Sequence, residues 1–94
     1  MAIDEQALMR RAVMYKHERY SVNDTQYEMA LDYLKTYGTL TPLEALNAFG
    51  CFRLAAIISD LRRDGYDIET EIAKGKKHYA IYTLKGEDDV QGNN

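Results

Sequence analysis

Two helix boundaries packed into ten residues constrain this chain more than any other feature. Thr41 offers a hydroxyl to cap a helix, Pro42 fits the first helical position, where no amide hydrogen bond is needed, and Glu44 completes a capping box with Thr41. Leu43, Leu46 and Phe49 recur at helical spacing, and Gly50 follows as a residue that tolerates positive φ and stops the helix. A second amphipathic segment begins at once. From Phe52 to Arg63 it carries Leu54, Ile58 and Leu61 at the i, i+4, i+7 spacing of one buried stripe, with Gly65 as its stop. The two short helices are therefore joined by a tight turn.

After Gly65 come two runs rich in Ile, Thr and Tyr, Ile68 to Ala73 and Tyr79 to Leu84, separated by Lys74, Gly75, Lys76 and Lys77. That pattern signals a β-hairpin. Upstream, Thr25 and Glu28 form another capping box and Gly38 another stop, which predicts a helix over 25–37 with Tyr27, Ala30, Leu31 and Leu34 as its buried stripe. The order helix, helix, tight turn, helix, hairpin is that of a winged helix-turn-helix, a mainly α fold with a small β-hairpin (α+β). Ahead of it, Asp4 to about His17 places Leu8, Ala12 and Tyr15 at helical spacing and predicts an extra N-terminal helix. The expected organisation is a helical extension over 1–22, the winged domain over 23–85 and an acidic tail over 86–94.

On a helical projection Arg53, Ala56, Asp60 and Arg63 fall opposite the buried stripe of the second short helix, with Phe52 and Ser59 alongside. This is the face that would enter a DNA groove. Arg53 and Ser59 are candidates for base edges and Arg63 for phosphate, while Arg62 lies nearer the buried side and suits a phosphate contact at the helix end. Lys74, Lys76, Lys77 and His78 at the hairpin tip suit backbone or minor-groove contact. Lysines at such a tip also keep a turn soluble and protect an edge strand.

The block LTPLEALNAFGCFRLAAIISDLRRDGYDIET followed by a hairpin resembles the helix-turn-helix domain common in small bacteriophage and prophage proteins. The linked segments TPLEAL, FGCFRLAA and DLRRDGY carry the resemblance, which spans Leu40 to about Leu84. It implies a phage-type DNA-binding protein with Phe52 to Arg63 as recognition helix, and Arg53, Arg62 and Arg63 match basic positions of the block. One departure stands out: Ile57 occupies a position where similar sequences often carry a polar or basic residue. An isoleucine beside the groove face suits a protein interface.

Charge tempers the DNA reading. The 94 residues carry a net charge of -3, whereas dedicated duplex binders are usually basic. From Cys51 to Lys85, seven Lys/Arg face five Asp/Glu, a surplus of two positive charges, and Glu87, Asp88 and Asp89 follow in the tail. A module this weakly cationic is expected to need dimerisation or assistance to hold DNA at physiological salt. The tail GEDDVQGNN lacks periodicity and is expected to be disordered. Eight tyrosines with no tryptophan give much of the aromatic bulk a polar end, so several tyrosines are expected at the rim of the core or in an interface.

A single cysteine, Cys51, excludes an internal disulfide framework and provides no zinc-ligand spacing. It is expected to pack at the turn, with redox sensing as the alternative for a thiol near a helix N-terminus. His17 and His78 have no nucleophile motif around them, the Asp88 and Asp89 pair falls in the tail, and no phosphate-binding glycine loop is present. No catalytic residue, metal or cofactor is therefore expected. No signal peptide appears, and no apolar run approaches the roughly 20 residues that a membrane-spanning helix needs. The expected location is the cytoplasm, that of the host cell if the protein is phage-encoded.

Two functions follow. The first is a double-stranded DNA-binding regulator or accessory factor in DNA transactions. The second is a protein-interaction module, a phage inhibitor or adaptor of a host protein, acting through Ile57, the tyrosines or the N-terminal helix. That helix, with Leu8, Ala12 and Tyr15 on one stripe and Met9, Val13 and Met14 around it, is expected either to fold onto the domain or to form a homodimer surface, with its arginines gripping phosphate as the second alternative.

Overall fold

A computed structural model of the chain describes residues 5–73 and 79–86. The elements run α1 (Glu5–Glu18), α2 (Gln26–Tyr37), β1 (Thr39–Leu40), α3 (Pro42–Phe49), α4 (Leu54–Arg63), β2 (Asp67–Ala73) and β3 (Tyr79–Gly86). This is an α+β winged helix-turn-helix arrangement preceded by one further helix. The hairpin tip with Lys74, Lys76, Lys77 and His78, and the acidic tail from residue 87, lie outside the described residues.

Local chemistry sets the boundaries. Both capping boxes form: the Thr25 hydroxyl accepts from the Glu28 amide and the Thr41 hydroxyl from the Glu44 amide, and each glutamate reaches back to the amide of its threonine. Gly50, at φ 67°, closes α3 in the left-handed region, its amide bonding Leu46 while the Cys51 amide bonds Ala45. The Gly50 bond is the αL type of helix closure, which turns the chain sharply into α4.

A strand precedes the turn that the sequence did not announce. Thr39–Leu40 pairs antiparallel with β3, giving a three-stranded sheet in the order β1-β3-β2. Two residues are too few for an alternating pattern to register, and their pairing partner lies more than forty positions away. The Leu84 amide also donates to the Gly38 carbonyl, so the end of α2 is tied to the wing.

The core joins all four helices to the sheet through residues including Ala30, Leu34, Leu40, Ala48, Leu54, Ile58, Leu61 and Ile68. The predicted stripe of α4 is buried as expected. In α2 the buried positions are Met29, Ala30, Tyr33 and Leu34, while Tyr27 and Leu31 pack at the edge. In α3 the buried face is Glu44, Ala45, Ala48 and Phe49, and Leu43 and Leu46 turn outward. Several tyrosines, Tyr27, Tyr37 and Tyr66 among them, sit half-buried at the rim of the core, while Tyr15 and Tyr33 are wholly enclosed, with rings 4.9 Å apart between centroids. Their hydroxyls are satisfied inside, Tyr15 donating to Asp32 at 2.9 Å and Tyr33 to Glu44 at 2.5 Å.

Helix α1 packs chiefly on α3 and completes the core, the packing alternative of the two expected for it. Ala12 and Tyr15, named above as interface candidates, are 0% and 1% exposed, so the stripe that suggested a dimer surface is spent on the chain's own interior. Leu8 is half-buried, and the outward residues of α1 include Val13 and Met14.

Candidate nucleic-acid interface

The outward side of α4 is the surface in question, and its neighbours hold it from several sides. The Gln26 side chain donates to the Gly50 carbonyl at 3.1 Å, which fixes the turn before α4 against the first turn of α2. The Tyr27 hydroxyl donates to Asp64 at 2.5 Å, which fixes the residue that ends α4 against the same turn. Burial, followed by that hydrogen bond to a carboxylate, pushes the Tyr27 phenol up to about 12. Arg62 donates to the Ile68 carbonyl at 2.9 Å and to the Thr70 hydroxyl at 2.6 Å, binding the C-terminal turn of α4 to β2.

These bonds sort the predicted DNA residues. Arg53 is exposed and stands at the N-cap of α4 with φ -121°, making no side-chain capping bond. Ser59 is exposed one and a half turns further on. Arg63 is exposed but donates to Asp60 at 2.7 Å, so its charge is partly answered on the same face. Arg62 is committed to the wing and is a structural brace before it is anything else. Between these lie Ala55 and Ala56, both exposed, and Ile57, which is half-buried and packs against the core. Ile57 is thus largely taken up by the fold. Phe52, at the turn, is 84% exposed.

Beneath the turn, a cleft of about 380 Å³ opens between α1, α3 and the start of α4, lined among others by Leu8, Met9, Leu43, Leu46 and Phe52. The outward turn of Leu43 and Leu46 follows from this, since both face the cleft. Cys51 lines its floor while remaining 2% exposed, and its amide is engaged in closing α3. The thiol packs at the turn, as expected of it.

Behind the interface sits a buried ion pair that sequence reasoning missed. Glu44, wholly enclosed, takes Arg11 Nε at 2.5 Å and the Tyr33 hydroxyl at 2.5 Å on one oxygen, and the Thr41 amide and hydroxyl at 3.0 Å on the other. Arg11 also donates to the Thr39 hydroxyl and carbonyl, and its guanidinium lies over the rings of Tyr37 and Tyr33 at 5.0 and 5.6 Å. Burial works against the Arg11 charge, but the bond and ion pair with Glu44 outweigh it and hold the guanidinium above its ordinary value. A signal did exist in the sequence: Arg11 falls within the Leu8, Ala12, Tyr15 stripe, where a charge needs a partner.

A short two-helix unit ending in a supported, exposed helix, followed by a β-hairpin, defines the winged helix-turn-helix class. The chain belongs to that family: a family model described as a winged helix-turn-helix domain matches residues 25–87. Comparison with curated proteins and with solved structures gives no match. Helix α1 lies outside the matched span. No helix among the described residues is long and apolar enough to cross a membrane.

Proposed function

We propose that this protein binds duplex DNA through the outward face of α4, as a small regulator or accessory factor of the phage type. The observation that carries the reading is the exposed helix itself: α4 presents Arg53, Ala55, Ala56, Ser59 and Arg63 outward while α2, α3 and β2 immobilise it from behind. Small residues in the middle of that face let the helix backbone approach a groove closely, and Arg53 at its start reaches base edges or phosphate. The wing lysines Lys74, Lys76 and Lys77, with His78, add backbone contacts in this reading.

Fluorescence anisotropy with a labelled duplex, titrated across salt concentrations, tests it. Binding should weaken steeply with salt, and Arg53→Ala with Arg63→Ala should reduce affinity and flatten the salt dependence by up to about one unit of slope per lost phosphate contact. No duplex binding at low salt, or binding indifferent to both substitutions, refutes the proposal.

One observation favours a second reading, a protein-interaction module. Phe52 protrudes beside Leu43 and Leu46 at the mouth of an apolar cleft, and such patches mark protein contacts. In that reading the partner is a host protein seated on the cleft, and a homodimer would use the outer face of α1 at Val13 and Met14 instead of Ala12 and Tyr15.

A further inference from the structure

Resting on the DNA reading, we infer that α4 recognises its site chiefly through the C5-methyl groups of thymine. The polar side chains that ordinarily read bases are largely engaged elsewhere. Arg62 is bound to the Ile68 carbonyl and the Thr70 hydroxyl, and Arg63 is paired with Asp60, whose carboxylate is in turn occupied. Only Arg53 and Ser59 remain on the exposed face as hydrogen-bonding readers without a side-chain partner among the described residues. What the face offers otherwise is carbon: Ala55, Ala56 and the almost fully exposed ring of Phe52.

Geometry puts Ala56 at the centre of the face, with the other carbons at its flank and leading edge. On a helical projection Ala56, Ser59 and Arg63 lie within about 60° of one another and opposite the buried Leu54, Ile58 and Leu61, with Ala55 flanking them. Phe52 leads into the helix from its N-terminal end, the end that winged and related modules direct at base edges. In the major groove the thymine methyl is the apolar group on an otherwise polar floor of donors and acceptors, and alanine and phenylalanine are suited to contact it. The same carbons are poor partners for phosphate, whose contacts fall to the flanking cations. A recognition surface of this composition favours thymine-bearing steps and discriminates weakly among G·C arrangements, apart from the position under Arg53.

The test uses the full-length chain. Duplexes enriched from a randomised library are remade with deoxyuridine in place of thymine, which removes the C5-methyl and leaves base pairing intact. Affinity is expected to fall about fourfold for each contacted thymine, the equivalent of withdrawing one methyl from an apolar contact. The thymine-to-uracil ratio should shrink in Phe52→Ala, where an exposed side chain is removed without touching the core, and should persist in Arg53→Ala, which weakens both duplexes alike. Equal affinity of the selected thymine and uracil duplexes overturns the methyl reading and leaves DNA binding standing. A library that yields no enriched duplex at low salt overturns both.

Discussion

Replacing Arg11 by methionine should be among the most damaging changes available to this protein, although Arg11 lies outside the span matched by the family. The carboxylate of Glu44 is fully enclosed, while the Arg11 side chain retains 22% exposure. Removing one partner of a buried pair strands the other charge, at a cost of about 3–5 kcal/mol. The partial exposure of Arg11 and the Tyr33 and Thr41 donors that remain on Glu44 put the expected loss near the lower end, about 3 kcal/mol. For a domain of this size each kcal/mol moves the melting temperature by about 4–8 °C, so Arg11→Met should melt about 12–24 °C below the parent. Circular dichroism during heating and urea titration measures it.

The diagnostic arm is the pair. Glu44→Gln keeps a carbonyl oxygen for the Thr41 capping box but discards the charge. Arg11→Met with Glu44→Gln should therefore be more stable than Arg11→Met alone, with a coupling free energy of roughly 1–3 kcal/mol. Arg11→Lys should fall between parent and methionine, because an ammonium retains the charge but not the fork that reaches Glu44 and Thr39 together. A loss below about 1 kcal/mol for Arg11→Met, or strict additivity in the double variant, would show that the pair is not a structural tie.

Three further outcomes follow from the same contacts. The Tyr27 phenol, raised from 10.0 to about 12 by burial and by Asp64, favours the folded state fully below pH 10 and loses that contribution as pH rises through 12; Tyr27→Phe should flatten alkaline unfolding in this window, read by near-ultraviolet absorbance and circular dichroism. Gly50→Ala places a β-carbon at φ 67° where no other atom lies within 4 Å, so the cost is backbone strain alone, about 1–2 kcal/mol in urea titration. Arg62→Met removes both bonds between α4 and β2, and hydrogen exchange should quicken at the β2 and β3 amides before it does so in α1 and α2.

What the sequence declared openly was local. Thr25, Glu28, Thr41, Pro42 and Glu44 act on amides within one turn of themselves, and Gly38 and Gly50 answer a backbone requirement at their own positions. The stripe of α4 was legible because Leu54, Ile58 and Leu61 are large apolar residues at one helical spacing, while Asp60, Arg63 and Ser59 mark the other side as polar. The stripe of α3 was not: its helix is apolar on two sides, and spacing alone could not tell the core side, with Ala45 and Ala48, from the cleft side, with Leu43 and Leu46. The strand Thr39–Leu40 and the Arg11–Glu44 pair depend on partners distant in the chain: Arg11 on an apolar stripe signals that a partner is needed, but nothing local names Glu44 or β3 as the partners.

The role of α1 shows how these levels interact. Glu44 serves as the helix-start residue of α3 and also as the buried partner of α1, so one carboxylate links a local signal to a distant tie. Glu44 ties α1 to α3, which closes through Gly50 directly into the turn that carries Phe52 and Arg53, and the Arg11 bonds to Thr39 tie α1 to β1 and so to β3, so loosening α1 is expected to reach both the start of α4 and the wing. The face proposed to read thymine is then conditional on a helix outside the matched span. A chain cut to the matched span would expose Tyr33 and leave Glu44 without its cation, and should lose its fold before it loses any contact with DNA.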